Sequence, residues 1–169
     1  ILKISIISDT HGFLDDQIIR LLKDSDEIWH AGDIGSIDVI DQIDALSGNF
    51  RAVYGNIDGN PIRIRTSEYL FFEIDGQRIL ITHIANKPPK FNVLTRDLIR
   101  KYAPSILVCG HSHLLKVENV PTQNLLFINP GACGHHGFHI VRTIIQFEII
   151  NSKPRNMQVI ELGKRGRLN

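Results

Sequence analysis

The first third of the chain alternates between short apolar runs and stretches with helical spacing. Apolar runs near residues 4–7, 27–31 and 50–54 are each bounded by turn residues, which predicts three buried strands. Between them, apolar residues recur at helical spacing over 14–22 and 37–46, which predicts two helices. Strands separated by helices in this order pair in parallel through right-handed crossovers. The sequence therefore predicts a β-α-β-α-β unit at the start of the chain.

The rest of the chain is richer in strands. Apolar runs at 69–74 and 77–82 flank a turn and predict a hairpin. Helical spacing over 93–102 predicts a third helix, and a compact apolar run at 105–109 predicts a further strand. The later segments, rich in β-branched residues, are predicted to build a second sheet: 115–120, 125–128, 140–150 and 157–162. The basic segment 164–167 is expected to be a solvated, frayed terminus.

Composition restricts the class of protein. A chain of 169 residues with 43% hydrophobic content is expected to form one globular domain. Its 19 Lys and Arg nearly balance its 18 Asp and Glu, which argues against a general basic surface for nucleic acid or membrane. No apolar run approaches the roughly 20 residues of a membrane helix, and no leader-like segment opens the chain. A soluble cytoplasmic protein is expected.

Histidine and cysteine usage points to metal chemistry without a disulfide framework. Cys109 and Cys133 are too few for such a framework and lack zinc-type spacing, so both are expected to remain reduced thiols. Eight histidines are unusual in a nearly neutral chain, and most of them follow apolar runs beside Gly, Asp or Asn. Histidine is the commonest metal ligand in proteins.

The ends of the first three predicted strands carry ligand-type side chains. Asp9 and His11 follow the first strand, and side chains two apart in an extended segment leave on the same face. The alternative is that Asp9 caps a helix and His11 is a turn residue. Asp33 follows the second strand, where His30 is interpreted as a structural histidine. Asn56 follows the third, in a polar turn that is also compatible with a simple loop connection.

The later strands repeat the pattern. His83 follows the second strand of the hairpin, and His111 and His113 follow the strand at 105–109, directly after a glycine. Two histidines two residues apart at a strand end form the strongest local metal signal of the chain. The loop 134–139 holds three further histidines and is compatible with a substrate contact, an adventitious metal binder or a mobile surface turn, of which the turn is favoured.

The ordered motifs resemble those of the calcineurin-like metallophosphoesterases: Asp9-Thr10-His11, Gly32-Asp33, Gly55-Asn56, His83 and Gly110-His111-Ser112-His113. The short chain and its opening motif look most like the small bacterial and archaeal phosphodiesterases of the YfcE and MJ0936 type, and the retromer subunit Vps29 is similar in fold. The resemblance implies a single metallophosphoesterase domain over 1–169. Its implied fold is α/β, a four-layer αββα sandwich of two mixed β-sheets flanked by helices.

The resemblance also implies a centre of two divalent ions and divides the seven ligands between them: Asp9, His11 and His113 on the first ion, Asn56, His83 and His111 on the second, and Asp33 bridging both. Three of these are implied to be catalytic: Asp33, Asn56 and His83. Two ions about 3.5–4 Å apart clamp the attacking and leaving oxygens of a phosphate ester, and a hydroxide bridging them is the expected nucleophile. Mn²⁺ is the first choice for this mixture of oxygens and imidazoles, with Fe, Zn²⁺, Ni²⁺ and Mg²⁺ as alternatives.

Two positions depart from the family's pattern. Larger members have a histidine after the Gly-Asn motif, whereas this chain has Ile57, which cannot donate a proton to a leaving oxygen. We therefore expect faster turnover of esters with leaving groups of low pKa. After His83, relatives often have Gly-His where this chain has Ile84-Ala85, and Asn86 or Lys87 is a candidate to replace part of that role.

The expected function is hydrolysis of a small phosphodiester, with phosphomonoesters as alternative substrates. The alternative is a Vps29-like interaction scaffold with a vestigial metal site, although Vps29 has lost imidazoles in the opening motif and His11 is present here. A third possibility is an α/β domain whose histidines are structural. No platform of aromatic and basic residues indicates extended nucleic-acid binding. A homo-oligomer is compatible with the sequence.

Overall fold

A computed structural model describes residues 1–166 and contains two five-stranded sheets with helices on their outer faces. Its strands are β1 Leu2–Ile7, β2 Glu27–His30, β3 Asn49–Ala52, β4 Tyr69–Ile74, β5 Gln77–Thr82, β6 Asn86–Lys87, β7 Lys90–Phe91, β8 Ile106–Val108, β9 Lys116–Val120, β10 Leu125–Asn129, β11 Val141–Ile150 and β12 Lys153–Lys164. Its helices are α1 Asp16–Leu22, α2 Ile37–Asp44, α3 Asn60–Arg63 and α4 Val93–Tyr102, with a 3-10 turn at Pro121–Gln123.

The first sheet has the strand order β12-β11-β1-β2-β3. β1, β2 and β3 are parallel and joined by α1 and α2, which confirms the predicted β-α-β-α-β unit. β11 pairs antiparallel with the free edge of β1, from Leu2 opposite Ile149 to Ile6 opposite Ile145. The sheet is therefore mixed.

The second sheet has the order β4-β5-β8-β10-β9 and is also mixed. β5, β8 and β10 are parallel, while β4 and β9 run antiparallel at the edges. The prediction that all the late strands belong to this sheet is wrong for β11 and β12, which extend the first sheet. β11 is buried along most of its length because it lies between β12 and β1 and pairs with both.

Apolar side chains divide the molecule into layers. The inner faces of both sheets share one core, which includes Ile6 and Trp29 of the first sheet and Ile81 and Val108 of the second. The outer face of the first sheet packs against α1 and α2, and the outer face of the second packs against α4. The arrangement is the expected four-layer αββα sandwich.

Several local features differ from the sequence-based expectations. The hairpin β6–β7 and the short helix α3 were not expected, because segments of two to four residues carry no measurable apolar period. Lys164 ends β12 rather than belonging to a frayed terminus, while Arg167 lies outside the described residues. Cys109 and Cys133 are buried free thiols. Within residues 1–166, no helix has the length and apolar character needed to cross a membrane.

Candidate metal centre

All seven candidate ligands lie in loops that follow strands, and the structure brings these loops together. Three of the loops follow β1, β2 and β3, so they share the carboxyl edge of the first sheet. The others follow β5 and β8, which are neighbours in the second sheet. Ligands collect beyond the carboxyl ends of parallel strands in α/β folds. Here the two sheets contribute such an edge to the same crevice.

Five of the seven residues have a left-handed backbone. The φ angle is 55° at Asp9, 46° at His11, 55° at Asp33, 72° at His111 and 62° at His113. Residues other than glycine rarely adopt this conformation, and each instance costs about 1–3 kcal/mol. Such conformations concentrate at functional sites, where the surrounding structure holds them in place.

Asp9, His11 and His113 form one group, with ligand atoms within 4.8 Å of one another. Nε2 of His113 lies 3.2 Å from Oδ1 of Asp9, and Nε2 of His11 lies 3.9 Å from the same oxygen. The other oxygen of Asp9 accepts hydrogen bonds from the Ser8 hydroxyl at 2.6 Å and from the backbone N–H of His111 at 3.1 Å. These bonds orient the buried carboxylate so that Oδ1 faces the two imidazoles.

Asp33, His83 and His111 form a second group of the same size. Asn56 joins it, because its Oδ1 lies 3.1 Å from Nε2 of His83 and 3.0 Å from Nδ1 of His111. Nδ1 of His83 donates to the carbonyl of Ala31 at 2.7 Å, which leaves a lone pair on Nε2 of the neutral ring. When the His83 ring is neutral, two acceptors therefore face each other, an arrangement that a cation satisfies.

The Asp33 carboxylate lies between the two groups. Its Oδ2 is 3.5 Å from Nε2 of His11, in the first group, and its Oδ1 is 3.3 Å from Nε2 of His83, in the second. Oδ1 also accepts the backbone N–H of Ile57 at 3.2 Å, which fixes the carboxylate in position. One side chain thus presents one oxygen to each group, as a bridging ligand does.

Two buried polar atoms of the first group, Oδ1 of Asp9 and Nε2 of His11, have no hydrogen-bond partner within residues 1–166. An unsatisfied buried polar group costs about 1–3 kcal/mol. An ion between these atoms would satisfy both. The set of two carboxylates, four imidazoles and one amide suits divalent transition metals, so these residues fit two such ions.

The charges of the site support cation binding. Burial raises the pKa of Asp9, but interactions with His113 and the charge of His83 outweigh it and hold the pKa below its ordinary value. Burial likewise raises the pKa of Asp33, and His83 overcomes this effect. Burial lowers the pKa of His83, but its contact with Asp33 and the charge of Asp9 raise it above its usual value. The carboxylates that attract this proton would attract a metal ion in its place.

Glycines permit the close packing of the loops. A Cβ added at Gly55 would overlap Oδ1 of Asp33, and one added at Gly110 would overlap the Ser8 hydroxyl and lie 2.8 Å from Oδ2 of Asp9. Both glycines immediately precede a candidate ligand in the chain. Any larger residue at these positions displaces a carboxylate of the site.

The loop 134–139 packs against the site through His139. Nδ1 of His139 lies 3.2 Å from Nδ1 of His113, and Nε2 of His139 donates to the carbonyl of Gly134 at 2.8 Å. Burial lowers the pKa of His139, so the ring is neutral near pH 7. The prediction of a mobile surface turn is wrong for His139, because its hydrogen bond within the loop turns the ring inward. Sequence reasoning missed it, although its histidine-rich context was visible.

The other two histidines of this loop also contact rings of the protein, although His136 is exposed. The ring of His136 lies 4.6 Å from that of His11, and the ring of His135 lies 4.0 Å from that of Phe13. Phe138, between them and His139, is fully exposed. The loop therefore covers one side of the first group and leaves an apolar ring at its edge.

His30 is structural, as interpreted from the sequence. The backbone N–H of Gly32 donates to its Nδ1 at 3.0 Å. Its Nε2 lies 2.9 Å from Oγ1 of Thr10, whose hydroxyl donates to the carbonyl of Ile34. These bonds define a neutral ring protonated at Nε2. Burial lowers the pKa of His30 to about 4.

Asp58 is a supporting residue that sequence reasoning did not assign. It is buried, and its carboxylate accepts backbone hydrogen bonds from Ile34 at 3.0 Å, Gly35 at 2.9 Å and Gly55 at 2.8 Å. It therefore ties the loop after β2 to the loop after β3. A carboxylate in a glycine-flanked turn, Asn56-Ile57-Asp58-Gly59, was the available signal.

A cavity of about 260 Å³ opens over both groups and is lined by Asp33, Asn56, His111 and His113 among others. Ile57 also lines it and is half exposed, with an apolar side chain where larger relatives are expected to have a proton donor. The arrangement offers space for a phosphate beside seven potential ligands. The protein supplies no acid at position 57.

The fold and the site define a class of protein. A family model for the calcineurin-like phosphoesterase superfamily domain matches residues 2–152, so the chain belongs to that superfamily. This confirms the resemblance drawn from the motifs.

Comparison with individual proteins identifies relatives within this superfamily. The chain is 30% identical over 147 residues to the phosphodiesterase MJ0936 of Methanocaldococcus jannaschii, which covers 78% of this chain and 84% of the relative. A solved structure of an archaeal phosphodiesterase superposes with a TM-score of 0.75 at 27% identity and covers 95% of this chain and 100% of its own. Zinc-complexed Vps29 from Entamoeba histolytica has a TM-score of 0.73 at 17% identity, covering 98% and 100%, and shares the fold.

Proposed function

We propose that this chain is a phosphodiesterase that uses two divalent metal ions. The observation that supports this most is the position of Asp33, whose two oxygens lie 3.5 Å from His11 and 3.3 Å from His83. A carboxylate shared by two groups of ligands holds a pair of ions at a fixed separation. Relatives named phosphodiesterase or metallophosphoesterase support the reaction class.

When bound, the ions supply positive charge to the phosphate oxygens and lower the pKa of coordinated water. The chain's own contribution is to hold the ligands in place before substrate binds. Ser8 orients Asp9, the Ile57 N–H orients Asp33, and the Ala31 carbonyl orients His83. Such fixed positioning makes up much of the catalysis of phosphoryl transfer.

Mn²⁺ is the ion we propose, with Fe, Zn²⁺, Ni²⁺ and Mg²⁺ as the other metals to be compared. The four imidazoles disfavour Ca²⁺, which prefers oxygen ligands throughout. The substrate we propose is a small phosphodiester, because the cavity over the site holds about 260 Å³.

The test is hydrolysis of bis-p-nitrophenyl phosphate by the purified protein with Mn²⁺. We expect Asp33→Asn to lose at least about 100-fold in kcat, because an amide presents only one oxygen to the ions. The matched control is Asp75→Asn in the β4–β5 turn, which we expect to retain full activity. An unchanged rate in Asp33→Asn would contradict the bridging role of Asp33.

A protein-interaction scaffold is the alternative, favoured by the exposed apolar side chains Phe138 and Leu114 beside the centre. A scaffold predicts no hydrolysis with any of the five metals and stoichiometric capture of one partner protein. The convergence of all seven ligand-type residues favours the enzyme.

A further inference from the structure

A second cavity, of about 600 Å³, lies beside the metal centre. It is lined by the segment leading into and through β6, which includes Ala85 and Lys87, and by a second segment that includes Leu115 and Lys116. Buried Phe127 of β10 also lines it. Its volume is within the range of small-molecule sites, roughly 300–1,000 Å³.

The second cavity adjoins the site. His111 and Ser112 line both this cavity and the 260 Å³ cavity over the two ligand groups. His111 is itself a member of the second group. An ester whose phosphate lies over the ligands therefore has the second cavity next to it, on the other side of one imidazole.

Its lining is largely apolar. Ala85 and Phe127 are buried there, while Leu114 and Leu115 are 67% and 41% exposed at its rim. Exposed apolar side chains at a cavity rim gain burial when an apolar group binds, at about 25 cal/mol per Å². This wall suits a ring or another apolar group of similar size.

The charged side chains that line the second cavity are basic. Lys87 and Lys116 contribute to its lining, and no carboxylate does so among residues 1–166. Lys116 also pairs with Glu118 at 3.3 Å, which lies outside the lining. Lys87, together with the already paired Lys116, still favours an occupant that carries a negative charge.

We propose that the second cavity binds one ester arm of the substrate, and that this arm is an apolar ring that carries an anionic group. The proposal rests on the phosphodiesterase function and narrows its substrate class. The ring packs between the β6 segment and Leu115, and Lys87 and Lys116 pair with its negative charge.

Three diesters test this with a constant 4-nitrophenyl group and a second arm that is methyl, phenyl or 4-carboxyphenyl. Hydrolysis is followed by ³¹P NMR, so that cleavage on either side of phosphorus is counted. We expect kcat/KM to rise about tenfold from methyl to phenyl through apolar burial. We expect a further rise of about tenfold with the carboxylate, through charge-assisted hydrogen bonds.

The double variant Lys87→Met/Lys116→Met is expected to abolish the preference for carboxyphenyl over phenyl. The matched control is Lys90→Met, which removes a charge from the residue paired with Lys87 in the same hairpin but does not line the cavity. It is expected to keep the preference. In the double variant and in the control, the preference is the ratio of kcat/KM for the carboxyphenyl ester to kcat/KM for the phenyl ester within one protein. Partial loss of folded enzyme therefore does not affect it.

The outcomes separate this proposal from the proposed function. Equal kcat/KM for the three diesters, or a carboxylate preference that survives in the double variant, would overturn the cavity assignment and leave the phosphodiesterase function intact. Absence of hydrolysis of all three, methyl included, would overturn both.

Discussion

Nδ1 of His139 lies 3.2 Å from Nδ1 of His113, and this contact determines which nitrogen of His113 faces the candidate metal centre. Nε2 of His139 donates to the Gly134 carbonyl, so Nδ1 of the neutral ring is an acceptor. His113 must then donate from its own Nδ1, which leaves the lone pair of its Nε2 directed at the site, 3.2 Å from Asp9. His139 is thus a positioning residue for a candidate ligand.

The first prediction concerns this pair. His139→Phe removes the acceptor, so His113 loses its fixed tautomer, and we expect Mn²⁺ affinity to fall about 10- to 100-fold. Isothermal titration calorimetry measures the effect. The control is His135→Phe in the same loop, whose ring contacts Phe13 rather than a ligand. Equal affinity in His139→Phe and the wild type would show that His139 does not orient His113.

The second prediction concerns Gly55. In Gly55→Ala the new methyl group overlaps the Asp33 carboxylate, and a displacement of this kind costs about 100-fold in kcat. Gly59→Ala, in the same loop, meets nothing closer than Pro61 at 3.9 Å and is expected to keep its rate. Steady-state kinetics on bis-p-nitrophenyl phosphate distinguishes them. Similar rates in both variants would mean that catalysis does not depend on the exact position of the Asp33 carboxylate.

The third prediction follows from Ile57. Without a proton donor at this position, kcat should fall steeply as the leaving-group pKa rises. In Ile57→His we expect a shallower dependence, with a gain of about tenfold or more for alkyl esters and little change for nitrophenyl esters. Ile57→Gln, which is polar but transfers no proton at neutral pH, serves as the control. The same slope in the two variants would exclude acid assistance from position 57.

The fourth prediction is a pH dependence of stability from His30. Its pKa is lowered by burial to about 4 when folded, against an ordinary value of about 6.5 in the unfolded chain. Between these values the unfolded state binds the additional proton, so stability is full above pH 6.5 and decreases as the pH falls toward 4.

For the metal-free protein, the His30 contribution to the free energy of unfolding is expected to decrease by about 2 kcal/mol from pH 7 to pH 5. Urea unfolding in the presence of a chelator measures it. His30→Gln keeps a donor and an acceptor but does not titrate. Its free energy of unfolding should therefore decrease by about 2 kcal/mol less than that of the wild type from pH 7 to pH 5. Parallel pH profiles for the two proteins would contradict the buried neutral histidine.

Much of the fold follows from local patterns in the sequence. The run at 4–7 and the helical spacing over 37–46 predicted their elements because each pattern extends over at least one strand or two helical turns. The sheet to which β11 belongs was not predictable, since an apolar, β-branched run is compatible with a strand of either sheet. Only the pairing of Leu2 with Ile149 and its neighbours decides this.

The candidate site was predictable to the extent that its residues form ordered motifs. Asp33 was identifiable because it follows a strand and a glycine, and the structure brings it between the two groups. His139 was not identifiable as a positioning residue, because its role depends on a contact with His113, 26 positions earlier in the chain. The second cavity was also beyond sequence reasoning, since its walls come from separate parts of the chain.

The most direct measurement of the central claim is anomalous scattering from a crystal of the protein grown with Mn²⁺. We expect two manganese peaks about 3.5–4 Å apart, with one oxygen of Asp33 directed at each ion. His11 and His113 should coordinate one peak, and His83 and His111 the other. A single peak, or two peaks that do not share Asp33, would contradict the dinuclear centre.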